Sequence, residues 1–111
     1  MEKRRAERRR LRVPVRLEPG GLTSSTGDLS TSGLFIRTAR VFRPGSRVQI
    51  ILITPEGPLS GWGVVRWAKR VPSDLLLHLK GGMGIELTGA CPELRDYLDD
   101  LFPRFLEAAA G

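Results

Sequence analysis

Residues 48–68 read Val48-Gln49-Ile50-Ile51-Leu52-Ile53-Thr54, then Pro55-Glu56-Gly57-Pro58, then Leu59-Ser60-Gly61-Trp62-Gly63-Val64-Val65-Arg66-Trp67-Ala68. The first block has Val48, Ile50 and Leu52 on one face, the middle block is a turn signal, and the last block reads as a longer strand. In that last strand, alternation puts Trp62, Val64 and Arg66 on one face and Gly61, Gly63, Val65 and Trp67 on the other. The two tryptophans are therefore expected on opposite faces, one of them in the core.

Working outward, the same strand-and-turn grammar recurs. Toward the N-terminus, Arg43-Pro44-Gly45-Ser46 is a turn and Leu34 to Thr38 a strand. The polar run Leu22 to Asp28 reads as a mostly exposed strand, preceded by the turn Glu18-Pro19-Gly20-Gly21. Leu11, Val13, Val15 and Leu17 alternate against Arg12, Pro14 and Arg16, a half-buried strand in which Pro14 indicates an edge position. Toward the C-terminus, Leu75 to Leu79 and Met83 to Leu87 are expected strands around Lys80-Gly81-Gly82. Only the tail has helical spacing: Leu94, Tyr97, Leu98, Leu101 and Phe105 recur every three or four residues. Pro92 suits the first helical position and Glu93 the positive end of the dipole, while Pro103 is expected to end or kink the helix. Six or seven short antiparallel strands with one C-terminal amphipathic helix describe a small barrel whose open end or side the helix covers.

Composition agrees with a folded domain. The chain has 111 residues, 41% hydrophobic and 27% charged, enough for one core and too short for two. Thirteen Gly and eight Pro favour turns and short strands over a helical bundle. The longest aliphatic run, Ile50 to Ile53, is far below the roughly 20 residues of a membrane helix, and no apolar stretch follows the basic N-terminus as a signal peptide requires. With one cysteine, Cys91, and one histidine, His78, neither an internal disulfide nor a Cys/His metal cluster can form, which fits a reducing cytoplasm. His78 alternates out of phase with its leucine neighbours and reads as an exposed strand residue, and Cys91 before Pro92 reads as a helix entry. Asp96, Asp99 and Asp100 read as the solvated face of the helix.

The net charge of +6 lies entirely in residues 1–16, where eight bases meet two acids; the other 95 residues hold ten of each sign. Such an arm attracts phosphates or, read plainly, keeps the protein soluble. Within it, Arg8 and Arg12 stand four residues apart where the arm meets the first strand. Two guanidinium forks there suit bidentate contacts with phosphate or with the O6/N7 edge of guanine. Arg4 and Arg8, Arg5 and Arg9, and Arg12 and Arg16 share the spacing, so it does not fix the register alone. Arg9 and Arg10, between the two, are expected either to add phosphate contacts or to be solvated.

A second feature is Asp28-Leu29-Ser30-Thr31-Ser32-Gly33. On an extended segment Asp28 and Ser30 project to the same side, where a carboxylate can accept from the N1–H and N2–H of guanine and a hydroxyl can donate or accept. Gly33 permits a tight turn or a close ligand approach. The plain alternative is an Asx or Ser/Thr turn between strands.

Taken in this order, Arg8 with Arg12, then Asp28, Ser30 and Gly33, the chain resembles the PilZ domain family, whose signature is R-x-x-x-R followed by D/N-x-S-x-x-G. Gly33-Leu34-Phe35-Ile36, Gly63-Val64-Val65-Arg66-Trp67 and Gly82-Met83-Gly84-Ile85-Glu86-Leu87 look like that family's later strands, so the resemblance spans residues 7 to 102. It implies a mainly β fold, a six-stranded antiparallel barrel with a C-terminal α-helix, that binds the bacterial second messenger cyclic di-GMP. The expected organisation is a flexible basic arm over residues 1–7 and a PilZ domain over 8–106, the barrel at about 10–88 and the helix at about 92–106. By resemblance Arg8 and Arg12, with Arg9, would hold phosphates and guanine edges, Asp28 and Ser30 would recognise a guanine, and Gly33 would shape the turn. Of the two tryptophans, parity leaves the one outside the core beside the ligand or the helix, with packing the preferred role for both.

The function this implies is a cytoplasmic receptor or adaptor, monomer or homodimer, that orders its arm on cyclic di-GMP and signals to an unidentified effector protein. In the family such partners often act in motility, biofilm formation or exopolysaccharide control. No enzyme and no cofactor are expected, because no nucleophile with a base, carboxylate pair or metal set is present. The alternatives are a ligand-independent PilZ-like interaction adaptor and a nucleic-acid-binding small barrel. The latter is disfavoured by the seven aromatic residues available for stacking and by Asp28 beside a phosphate track.

Overall fold

The structure, a computed structural model, describes residues 10–75 and 81–102. The turn signals of the sequence separate six strands: β1 (Pro14–Glu18), β2 (Leu22–Leu29), β3 (Gly33–Arg37), β4 (Arg47–Thr54), β5 (Gly57–Lys69) and β6 (Gly82–Ala90). All neighbours run antiparallel and the sheet closes on itself in the order β1-β2-β3-β6-β5-β4, the last joint pairing Leu17 with Ile50. Gly20 and Gly21, at φ +101° and +63°, make the tight return from β1 to β2 that the side chains of other residues would resist.

Alternation then fills the interior. Val15, Leu17, Leu34, Ile36, Ile50, Leu52, Val65, Met83 and Ile85 all point inward and are buried. One helix, α1 (Pro92–Leu101), covers the barrel, placing Leu94 and Leu98 in the same core with Phe102 just beyond it. Burying two leucines contributes about 2 kcal/mol each before the entropy of ordering the helix is counted. Cys91 caps the helix, its Sγ accepting from the Leu94 N–H at 3.4 Å, and its own N–H is bonded to Ser60 of β5. Within the described residues the helix runs to Leu101, and Phe102 takes a non-helical conformation, as a residue preceding proline tends to do; the part of the expected helix from 103 to about 106 lies outside the described residues.

Four sequence expectations change. Closure leaves no sheet edge, so Pro14 is tolerated as the exposed first residue of β1, one position before its pairing with β4 begins at Val15. Strand β2 is not mostly exposed: Leu22, Thr26 and Leu29 are buried. Leu75, expected to open a strand, ends a 3-10 turn over Ser73–Leu75, and the remainder of that expected strand, with His78, lies outside the described residues. Both tryptophans face outward, each 48% exposed, and neither is in the core. The reason is a bulge: between the pairs Val65–Ile85 and Trp67–Gly84, β5 carries one extra residue, which reverses its parity.

Tyr97 of α1 is half-buried, and burial followed by the negative charge of Glu56 raises its hydroxyl pKa above the ordinary 10. The folded state thus holds this proton more tightly than the unfolded chain. The contribution is intact below pH 10 and is lost as pH climbs from 10 through the raised value. Tyr97→Phe is expected to flatten the fall in urea midpoint over that window and leave the midpoint's pH dependence below it unchanged.

Candidate ligand-binding face

Two bulges build one surface. In β2 the pairing with β3 slips between Thr26–Ile36 and Asp28–Phe35, leaving Gly27 as the extra residue. Strict alternation from buried Thr26 would turn Asp28 inward; the slip instead turns Leu29 into the core and Asp28 toward the surface. In β5 the slip at Arg66 does the same for Trp67. Between them lie β3, with Phe35 and Arg37 on its outer side, and β6, with Gly84 directly opposite both Phe35 and Trp67.

Gly84 is what lets the aromatic pair form. A Cβ there would lie 2.1 Å from Trp67 Nε1, so the indole lies where a side chain of β6 would otherwise stand. Phe35 and Trp67 then stack at 5.4 Å between ring centroids with 16° between planes. Gly27 serves the other side of Phe35, since a Cβ on it would meet Phe35 Cδ2 at 2.8 Å. The pair forms one wall of a cavity of about 500 Å³ whose rim includes Asp28, Ser32, Arg66 and Glu86. Arg66 and Glu86 are joined by an exposed ion pair, Nε to Oε1 at 2.5 Å, which solvent screens.

A second cavity of about 440 Å³ lies along the same two strands, lined by Arg10, Arg12, Ser24, Ser25, Gly27 and Arg37. Thr26 brings the arginines there. Its hydroxyl accepts from the Val13 N–H at 2.9 Å and donates to the Leu11 carbonyl, while its own N–H bonds the Val13 carbonyl at 2.9 Å. These bonds lay residues 11–13 along β2 and leave the Arg12 side chain exposed. Ser24 Oγ donates to the Arg37 carbonyl at 2.6 Å and fixes the other bank. The outer face of β2 and β3 is thus cationic at one end and aromatic with a carboxylate at the other, with Gly27 and Phe35 between them.

Of the residues singled out in the sequence, Asp28 and Gly33 meet at the first cavity and Arg12 reaches the second. Arg8 and Arg9 lie outside the described residues. Ser30 does not share a side with Asp28: it is fully buried behind the cavity wall. Its hydroxyl accepts from the N–H groups of Ser32 and Gly33, at 3.2 and 3.1 Å, and donates to the Gly33 carbonyl at 3.1 Å, holding the turn that presents Ser32. Phe35, Arg37, Thr26 and Glu86 were not anticipated as site residues. The bare Gly84 among larger strand residues is the one sequence signal that marks where an outer side chain must lie flat. Among the described residues no group of three or more His, Cys, Asp or Glu converges as a metal site would. No helix among them is long and apolar enough to cross a membrane.

Comparison with known proteins agrees with this architecture. No curated protein sequence matches the chain. Among solved structures it is similar to the Bacillus subtilis inhibitor of motility, MotI/DgrA, with a TM-score of 0.76 at 18% identity. The match covers 97% of this chain and 53% of the other, so the chain spans about half the length of that protein. The sequence also matches the family described as PilZ domain over residues 2–101. A closed six-stranded antiparallel barrel with one C-terminal helix, together with a family match over nearly the whole sequence, makes this chain a member of the PilZ domain family.

Proposed function

We propose that this PilZ domain is a receptor for cyclic di-GMP that passes the signal to a separate effector protein. The observation that carries the reading is the placement of Asp28, the Phe35–Trp67 stack and an arginine-lined cavity on one outer face of β2, β3, β6 and β5. The ligand joins two guanines through two phosphates, and the face offers a partner for each part. Asp28 can accept from the N1–H and N2–H of one guanine, and the exposed indole of Trp67 can stack on a base. Arg12 and Arg37 can meet phosphate oxygens or the O6/N7 edge, and Arg8 and Arg9, which precede Arg12 in sequence, are candidates for further phosphate contacts. Ser30 contributes by holding the turn and Gly33 by letting β3 and β6 approach. Binding would change the surface of this face, and the surface so changed is what a partner would read. The similarity to an inhibitor of motility supports the fold of this reading and suggests motility as one process to examine.

The test is calorimetric titration of cyclic di-GMP into the purified chain at physiological salt, with GTP and a short DNA duplex as competitors. Saturable binding indifferent to DNA, and lost in the Arg8→Ala/Arg12→Ala double variant, is the expected result. Binding that duplex DNA displaces and that weakens steeply with salt would instead indicate a phosphate-tracking basic arm.

A further inference from the structure

The Asp28–Gly33 segment is held from two sides. On one side Ser32 and Gly33 form part of the cavity wall beside Asp28. On the other, Arg95 of α1 donates through Nη1 to the Thr31 carbonyl oxygen at 3.2 Å, a bond between residues 64 positions apart. The next carbonyl, that of Ser32, accepts from the Leu87 N–H of β6 at 2.8 Å, and that of Gly33 accepts from Ser30. Successive carbonyls of the turn therefore answer to the helix, to β6 and to the turn itself. A guanidinium bonded to a carbonyl is a charge-assisted contact, stronger than the neutral bonds around it.

The other end of the same residue is rigid. The Arg95 N–H is bonded to the Cys91 carbonyl inside α1, and Leu94 and Leu98 on either side of it are buried in the core. A shift of the helix at Arg95, or of the turn at Thr31, would strain or break this bond unless the arginine side chain follows.

We infer that Arg95 is a positioning residue of the ligand site: it sets the Ser32–Gly33 wall from behind and transmits a displacement of that turn to α1. The inference rests on the proposed ligand face for its second half, and on the turn alone for its first. The exposed side of α1 carries Glu93, Asp96 and Asp100, so movement of the helix re-presents three carboxylates to whatever partner reads that side.

The experiment is hydrogen–deuterium exchange on the full chain and its Arg95→Ala and Arg95→Lys variants, without ligand and then with saturating cyclic di-GMP, alongside calorimetry. Without ligand, Arg95→Ala should speed exchange at Ser32 and Gly33 about ten-fold while the β4 and β5 amides stay as protected as before, and Arg95→Lys should restore part of the protection. With ligand, the wild type should show altered exchange across residues 92–101, and Arg95→Ala should bind about ten-fold more weakly and lose that response in α1 when saturated. Unchanged exchange at Ser32 and Gly33, or faster exchange everywhere alike, would overturn the positioning role. A helix response that survives in Arg95→Ala would overturn the transmission. If the wild type binds no cyclic di-GMP, the receptor reading fails, and the ligand-free comparison still decides whether Arg95 holds the turn.

Discussion

Gly33→Ala is expected to lower the stability of the barrel by about 3 kcal/mol, a large share of what a domain of this size possesses. A Cβ at this position would lie 2.4 Å from the carbonyl oxygen of Ile85, deep inside contact distance. The obstacle is backbone, not the end of a flexible side chain, so relief requires β3 to move away from β6. Those strands are paired from Gly33–Glu86 to Arg37–Gly82, and the Ser32–Leu87 bond continues the seam past the turn. Because the sheet is closed, opening this seam strains both flanking pairs. Gly45→Ala is the comparison: its φ of +93° carries a left-handed strain of about 1 kcal/mol, but nothing lies within 4 Å of the added methyl. Urea midpoints of the two variants should therefore differ clearly, with Gly33→Ala the lower. Equal midpoints would mean that the β3–β6 crossing has room to spare.

Asp28→Ala should weaken cyclic di-GMP binding about 100-fold, and Trp67→Ala about ten- to 100-fold, without unfolding the protein. The first removes a charged acceptor of two N–H donors on the guanine edge, an interaction of about 3 kcal/mol, and the second removes a stacking surface of about 1–3 kcal/mol. Both side chains are at least partly exposed on the outer face, so the core does not depend on them. Trp62→Ala provides the internal control. It is as exposed as Trp67 and lies on the same strand, but it belongs to a different hollow, formed with Arg47 and Gln49 of β4 and Thr88 of β6. Its affinity should stay within about two-fold of wild type, inside the range expected of a surface change away from the site. The ratio between the two tryptophan variants, read by titration calorimetry, thus separates a local site from general surface stickiness. Affinity unchanged in Asp28→Ala would remove the base-edge role from the face.

Much of the architecture was legible in the residues. Period-two alternation in residues 13–17 and 48–52, punctuated by Pro-Gly turns, requires strands with one buried face, and those inward positions are the ones the core uses. The helical spacing from Leu94 to Leu101 and the stop before Pro103 are local effects of side-chain geometry and of a missing backbone donor, and the structure reproduces both. The concentration of charge in the first sixteen residues, and the candidate roles of Arg12, Asp28 and Gly33, also follow from residue type and order. A barrel was expected from the strand pattern and the family resemblance, but not which strands close it: no local feature of β1 announces a partner on its second side, so Pro14 suggested an edge that the pairing with β4 abolishes.

The face of the barrel was decided by tertiary structure. A bulge inserts one residue into one strand relative to its neighbour, and whether it forms depends on how both strands fit the closed sheet rather than on either sequence alone. Parity counting paired Asp28 with Ser30 and separated Trp62 from Trp67; the slip at Gly27 turned Asp28 outward, the end of β2 at Leu29 left Ser30 buried in the turn that its hydroxyl holds, and the slip at Arg66 brought Trp67 to the surface on Trp62's side of the strand. Gly33 was read as a tight turn or a close ligand approach, but the close approach that requires it is that of the β6 backbone. The contact of Arg95 with Thr31 across 64 residues was beyond any local reading. Composition and period fix which residues seek the core. Which of the remaining side chains meet on the outside is set by register, and register is a property of the whole closed sheet.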